Sequence, residues 1–368
     1  MNIIVETKNF EKLHTEELKG KCPACLDQLW ESQWVRRCIT RADMEQAEQL
    51  QALGGKIAQS SDVTVVLASG QMAKLLRAGI SAAEPTAEKS KAMVFGDTLS
   101  PSAYGALLHF LEGKSFSLLA VSEGEESLQF RGAYSVLKQQ LISSCGKEQA
   151  AGRIFAIAGK ESKLLTAEAA EEDYPLMTYP EIAAAYGAGT CALLLPLAIQ
   201  GVDLKEYLSG FYDMLASPSW DLDGVDYAVG RAAYQKACSD GNLNGDDSFS
   251  GKEMVLIWQE QLMDLGHWHG RCRRMPSAET DRETETELVS AFQTLLLIEK
   301  DSLDIMMPYF EGCNEDGSLN LLMTEEANRR FEKAACGVKI SLPHMDDYNL
   351  GQLFAFMQLS KGITEQLV

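Results

Sequence analysis

Residues 92–122 read AMVFGDTLSPSAYGALLHFLEGKSFSLLAVS, and this stretch decides the fold. It begins and ends with short apolar runs that are typical of buried β-strands. Between them, Ser100 and Pro101 match the N-cap and the first position of a helix, and Gly113 is placed to end it. Strand, helix and strand in this order predict a parallel β-α-β unit.

The same alternation continues on both sides of this stretch. Apolar strand candidates at Thr64–Ala68, Arg153–Ala158 and Leu176–Tyr179 alternate with amphipathic helical stretches. Strands that are apolar throughout are buried on both faces, so they predict a parallel sheet with helices on both sides. Ligands of such sheets bind at the carboxyl ends of the strands, so the turns there are the candidate site.

A second set of elements follows the polar stretch Ser239–Gly251. It contains strand candidates at Glu253–Trp258 and Val338–Pro343, with a long helix predicted around Thr284–Ile298 between them. A last helix is predicted from about Leu350 to the end of the chain. These elements predict a second α/β unit.

Composition and charge limit the classes of partner. The 368 residues include 33 Lys and Arg against 53 Asp and Glu, a formal net charge of -20 at pH 7. Nucleic acids and anionic membranes bind clustered basic residues, so we expect neither as a partner. The N-terminus does not resemble a secretion signal, and the nine cysteines are an odd number spread along the chain. Reduced thiols and a cytoplasmic location are therefore expected.

Several segments, in the same order along the chain, resemble the phosphoglucose isomerases, a family built from two sugar-isomerase (SIS) domains. They are Asp62–Leu67, Phe95–Pro101 with Leu107–Ser122, Leu194–Asp203 and Ile340–Leu353. The resemblance implies an α/β fold of two SIS-type three-layer α/β/α domains with mainly parallel sheets, plus a helical N-terminal segment. The expected boundaries are 1–40 for that segment, 41–200 for the first SIS-like domain and 201–368 for the second. Members of the family are dimers, so a homodimer is implied as well.

The family holds a sugar phosphate with a GIGGS turn and an SKSGTT loop. The matching segments here read ASGQM at residues 68–72 and SEGEES at residues 122–127. The resemblance therefore implies the ligand-binding residues Ser69, Gly70, Ser122 and Ser127. No cofactor and no metal is implied.

Acidic residues replace the basic and small residues of the family's second loop. A phosphate about 4 Å from Glu123, Glu125 or Glu126 would be opposed by roughly 4 kcal/mol per unit charge at an effective dielectric constant of 20. A serine hydrogen bond contributes only about 1 kcal/mol. The sequence thus favours a less anionic, carbohydrate-type ligand. In the alternative arrangement the acids point to solvent and the loop binds phosphate through its backbone.

The residues that the family uses for catalysis have no equivalents at the matching positions. Ala185 replaces an arginine. Val289 replaces the ring-opening histidine when Thr286–Gln293 is matched to the TDLHSLGQ helix. The glutamate base is replaced by Met275 or Leu265, depending on the alignment. Glu279 is a nearby acid that could take over if its loop shifts. The family's C-terminal lysine has no match, because the chain ends at Val368.

These substitutions predict a protein with no catalytic residues for aldose–ketose isomerisation, acting as a sugar-binding or regulatory protein. The alternative is a working isomerase that interconverts glucose 6-phosphate and fructose 6-phosphate. A third class, a redox or metal module, rests on Cys22 and Cys25, a C-x-x-C pair without the preceding strand of a thioredoxin site.

Two further motifs suggest metal sites but favour other interpretations. His267, His269 and Cys272 alternate along the chain, and alternate residues on a helix do not share a face, so solvent-facing side chains are expected. Asp240–Gly251 partly fits a calcium-binding EF-hand loop, but Gly251 stands where the bidentate glutamate belongs, so a connecting turn is expected.

Overall fold

The chain forms two compact units. The first unit is Thr40–Leu208, and the second unit combines Met1–Ile39 with Ser209–Val368. The computed structural model describes residues 2–13, 15–39, 44–83, 92–216, 223–239, 253–270, 272–274, 290–301, 304–306 and 317–368.

The elements follow one another as helices and strands throughout the described residues. The strands are β1 (Ile4–Lys8), β2 (Val63–Leu67), β3 (Ala92–Phe95), β4 (Phe116–Ser122), β5 (Ile154–Ala158), β6 (Leu176–Thr178), β7 (Glu253–Ile257), β8 (Cys272–Arg274), β9 (Phe292–Lys300) and β10 (Cys336–His344). The α-helices are α1 (Glu16–Glu31), α2 (Gln33–Ile39), α3 (Met44–Ser60), α4 (Gly70–Ala82), α5 (Pro101–Leu111), α6 (Leu128–Cys145), α7 (Lys147–Ala151), α8 (Lys163–Glu172), α9 (Cys191–Gln200), α10 (Leu204–Leu215), α11 (Asp223–Ser239), α12 (Met263–His269), α13 (Leu319–Lys333) and α14 (Asp347–Leu367). Short 3-10 helices lie at Phe10–Leu13, Ala184–Tyr186 and Glu260–Leu262. No helix in these ranges is long and apolar enough to cross a membrane.

The sheet of the first unit is parallel, with strand order β3-β2-β4-β5-β6. On one face, Val65, Leu118 and Ala156 belong to a core cluster with residues of α5, α6 and α8. The alternating residues Val66 and Leu119 point to the opposite face and are fully buried as well. The predicted fold class, an α/β structure with mainly parallel sheets, is confirmed.

The sheet of the second unit has the order β1-β10-β9-β7-β8, and only its edge strand β1 is antiparallel. β1 pairs with β10 through Ile4 and Ser341. The N-terminal segment is thus mostly helical, as predicted, but it begins with a strand that the sequence analysis omits. Because β1 reads Ile-Val-Glu-Thr-Lys, it has too few apolar residues to produce a recognisable strand pattern.

The long helix predicted around Thr284–Ile298 is wrong in its second half, where β9 begins at Phe292. β9 pairs with β10 on one side and β7 on the other, and every residue from Phe292 to Ile298 is buried. A strand buried on both faces lacks the alternation of apolar and polar residues that marks a half-exposed strand. Its continuous apolar run therefore resembles that of a buried helix. Gln293 therefore lies in a strand, and the match of Thr286–Gln293 to the family's TDLHSLGQ helix does not hold there.

Candidate functional site

Two helix N-termini meet at the carboxyl edge of the first sheet. The paired parallel strands β2 and β4 lead into α4 and α6. Ser127 caps α6: its hydroxyl oxygen accepts the N–H of Phe130 at 3.1 Å and donates to Oγ of Ser69 at 3.2 Å. The structure thus brings together two predicted ligand-binding residues, Ser69 and Ser127, and both are half-buried.

The start of α4 already holds a carboxylate. Gly70, the first residue of α4, has φ +61° and donates its N–H to Oδ1 of Asp97 at 3.1 Å. The other oxygen of Asp97 lies 3.7 Å from Nη1 of Arg77. Asp97 is not among the residues predicted from the sequence, because an aspartate in a turn does not reveal which distant N–H group it binds.

Ser122 has a local contact. Its hydroxyl donates to the carbonyl oxygen of Gly124 at 2.8 Å, and the residue is 8% exposed. The N–H of Gly159 donates to the Ser122 carbonyl oxygen at 2.8 Å. The bonds described for Ser122 therefore stabilise the turn after β4.

Two acids of the loop after β4 have hydrogen-bond partners on the opposite side of β4 from Ser69. Glu126 is 5% exposed and accepts the N–H of Leu165 at 3.2 Å and the hydroxyl of Ser162, the residue before α8. Glu123 accepts the N–H of Ala184 at 2.7 Å.

These contacts direct two of the loop's negative charges away from the Ser69 side of β4. Glu123, Glu125 and Glu126 are expected from the sequence to repel a bound phosphate, whereas the partners of Glu123 and Glu126 lie on elements that follow β5 and β6. β2, which leads to Ser69, is on the opposite side of β4. The physical reason is that free N–H groups at helix starts attract carboxylates.

A cavity of about 340 Å³ lies beside this loop. Its lining includes Glu123, Lys160, Glu161 and Glu181. Nζ of Lys160 is 3.3 Å from a carboxylate oxygen of Glu181, and the lining contains three acidic residues and one lysine. This charge balance suits a neutral or cationic group better than an anion.

The family's catalytic positions are only partly described. Ala185 lies in the 3-10 helix Ala184–Tyr186, and Leu265 is fully buried in α12. Met275, Glu279 and Val289 lie outside the described residues. Because the match around Gln293 does not hold, Val289 supports no conclusion about the family's histidine.

His269 departs from the expected solvent exposure, although its neighbour His267 is exposed on α12. His269 is 5% exposed, and its Nε2 is 2.8 Å from the hydroxyl of Tyr227 and 3.0 Å from Nη1 of Arg231. Arg231 in turn forms an ion pair with Glu253. Burial lowers the pKa of His269 well below its ordinary value, and the positive charges of Arg231 and Lys361 lower it further.

We expect the second unit to lose stability as the pH falls below about 6.5, the ordinary pKa of histidine. Below this pH the unfolded chain binds a proton at His269, whereas the folded chain does not. The free energy of unfolding therefore falls as the pH is lowered to the pKa of His269 in the folded protein, by at most about 1.4 kcal/mol per pH unit. The check is urea unfolding between pH 7.5 and 5.5. His269→Gln should flatten the difference, and His267→Gln should leave it unchanged. An unchanged slope in His269→Gln would show that His269 is not the responsible group.

The cysteine pair is not arranged for thiolate chemistry. Cys22 and Cys25 are buried in α1, and burial, followed by the neighbouring Cys25 and Asp226, raises the pKa of Cys22 to about 11. Reactive thiols need a lowered pKa. In the described ranges no group of three or more His, Cys, Asp or Glu residues is placed to hold a metal ion. The EF-hand-like stretch Asp240–Gly251 lies outside them.

Comparison with known proteins supports the resemblance. No protein-family model matches the chain. The glucose-6-phosphate isomerase of Acetivibrio thermocellus is 24% identical over 364 residues, covering 89% of this chain and 80% of its own length. That of Streptococcus thermophilus is 24% identical over 363 residues, covering 88% and 79%.

Solved structures share the fold. A glucose-6-phosphate isomerase from Chlamydia trachomatis matches with a TM-score of 0.75 and 11% identity, over 100% of this chain and 84% of that one. A hypothetical protein from Thermus thermophilus matches with a TM-score of 0.77 and 17% identity, over 99% and 94%. The resemblance to the phosphoglucose isomerases is therefore confirmed.

Proposed function

We propose that this chain, which resembles the glucose-6-phosphate isomerases in sequence and fold, binds a small carbohydrate-type ligand at the carboxyl edge of the first sheet and does not catalyse aldose–ketose isomerisation. It acts as a sugar-binding or regulatory protein. The proposal includes a cytoplasmic homodimer. The formal charge of -20 supports the absence of nucleic-acid and membrane partners.

The observation that supports binding is the contact of Ser69 with Ser127. Their hydroxyls are 3.2 Å apart at the starts of α4 and α6, where backbone N–H groups are also directed outward. A serine hydroxyl both donates and accepts hydrogen bonds, as a sugar hydroxyl does. Such a pair can therefore bind a sugar without any charged group on the ligand.

The absence of catalysis is supported by the residues at the matching positions. Moving a proton between C1 and C2 of a sugar needs a positioned base, and the developing oxyanion needs a positive group or hydrogen-bond donors. The Ala185 side chain provides neither. If the match anchored on Gln261 and Leu262 is used, the base position is Leu265, which is fully buried in α12.

Purified full-length protein should not interconvert glucose 6-phosphate and fructose 6-phosphate above background in a coupled assay. Calorimetry with unphosphorylated aldoses, ketoses and amino sugars should detect a ligand, and Ser69→Ala should weaken its binding. Ser69 makes no side-chain capping bond, so this change spares α4. The matched control is Ser143→Ala, which alters a hydroxyl on α6 that bonds the helix's own backbone. Turnover in the common range of about 1–10³ per second would instead establish a working isomerase.

A further inference from the structure

The turn after β3 brings Asp97 to the start of α4. Gly96 has φ +115°, and a Cβ there would lie 2.7 Å from the carbonyl oxygen of Ala68, so the turn requires glycine. The next residue, Asp97, places its Oδ1 3.1 Å from the N–H of Gly70. Arg77, about two turns along α4, holds the other carboxylate oxygen at 3.7 Å. The carboxylate is therefore positioned from both the strand and the helix side.

We propose that Asp97 determines ligand specificity by occupying the anion position at the start of α4, which excludes phosphate groups from the neighbouring Ser69, Gly70 and Ser127. The inference rests on the proposed function, because it assigns the ligand class of the same site. That class is a sugar or sugar derivative without a phosphate or other anionic group at this position.

The exclusion has two physical causes. Phosphates bind helix starts through free N–H groups, and the N–H of Gly70 already has a carboxylate partner. A phosphate that approached the neighbouring hydroxyls would also meet the negative charge of Asp97 at short range. The hydrogen-bond partners of Glu123 and Glu126 lie on the other side of β4. Asp97 is thus the acid in the described turns that directly contacts this helix start.

The test titrates inorganic phosphate into the full-length protein at low salt, where repulsion is least screened. Asp97→Asn should lower the dissociation constant for phosphate at least tenfold relative to the wild type. The asparagine side chain can still accept the N–H of Gly70, so Asp97→Ser is the second variant, and it should give the same gain. Adding Ser69→Ala to either variant should reverse much of the gain and so locate the site. Glu148→Gln is the matched control. It removes one exposed charge from α7, which precedes β5 and therefore lies at the amino ends of the strands, and it should not change phosphate affinity.

Two outcomes would overturn the inference. One is wild-type protein that binds phosphate as tightly as the two Asp97 variants. The other is a gain in Glu148→Gln equal to that in the Asp97 variants, which would show a general effect of net charge. Because the titration uses phosphate without a sugar, it is independent of the isomerase assay. A chain that isomerises glucose 6-phosphate contradicts the proposed function, whereas a missing gain in Asp97→Asn and Asp97→Ser contradicts only the role of Asp97.

Discussion

Glu253→Gln is expected to lower the free energy of unfolding of the second unit by about 3–5 kcal/mol. Glu253 is the ion-pair partner of Arg231, whose side chain is 8% exposed, and it also accepts the amide of Gln235 at 3.1 Å. The variant keeps the shape but removes the negative charge. Arg231 then remains buried beside His269 without its ion-pair partner, and the loss of that partner's charge is the main cost.

The chain offers a specific probe for this measurement. All five tryptophans, at positions 30, 34, 220, 258 and 268, lie in the second unit. Urea unfolding followed by tryptophan fluorescence therefore reports the unit that contains the altered pair.

A surface pair in the same unit provides the control for Glu253→Gln. Glu17 and Lys21 on α1 are 2.8 Å apart, and their side chains are 68% and 53% exposed. Glu17→Gln should cost far less than Glu253→Gln, because an exposed ion pair contributes little to stability. Arg231→Met combined with Glu253→Gln should recover part of the loss, because it removes the unpaired charge. If Glu253→Gln costs no more than Glu17→Gln, water reaches Arg231 and the cluster is not dry.

The strands of the first sheet could be predicted from the sequence because their surroundings are uniform. β2, β4 and β5 are buried on both faces and separated by amphipathic helices, so apolar runs and turn residues identify them. β9 is buried in the same way, but the run Phe292–Ile298 contains no turn residue. Its apolar pattern is therefore equally compatible with a buried helix. β2, β4 and β5 were therefore predicted correctly, and β9 was not, because of the residues that flank each strand and not because of the strands themselves.

The side-chain partners of the site could not be predicted in this way. Ser69 and Ser127 are implied by the resemblance of residues 68–72 and 122–127 to the family's turn and loop, and their role in binding stays a prediction. Asp97 and Glu126 bind N–H groups that are 27 and 39 positions away along the chain, and such contacts depend on how strands are ordered in the sheet. His269 was misplaced for the same reason, since its partners Tyr227 and Arg231 come from another helix.

Gly159→Ala is expected to destabilise the first unit by about 3 kcal/mol, the upper part of the range for overpacked positions. An added Cβ would lie 2.0 Å from the carbonyl oxygen of Glu123 and 2.6 Å from its carbonyl carbon. These are backbone atoms, so the clash cannot be relieved by turning a side chain. The turn after β4 would have to move away from β5, and the bond from the Gly159 N–H to the Ser122 carbonyl oxygen would stretch.

Gly124→Ala is the matched control for Gly159→Ala, because a Cβ at Gly124 would meet no heavy atom within 4 Å in the same turn. It should change the free energy of unfolding by no more than about 0.5 kcal/mol. The first unit contains none of the tryptophans, so its unfolding is followed by far-ultraviolet circular dichroism together with hydrogen exchange of peptides from β4 and β5. Faster exchange in both strands of Gly159→Ala, with wild-type rates in Gly124→Ala, is the expected result. Equal stability of the two variants would mean that the turn after β4 moves freely away from Gly159, and Glu123 would then not be held against Ala184 as the structure shows.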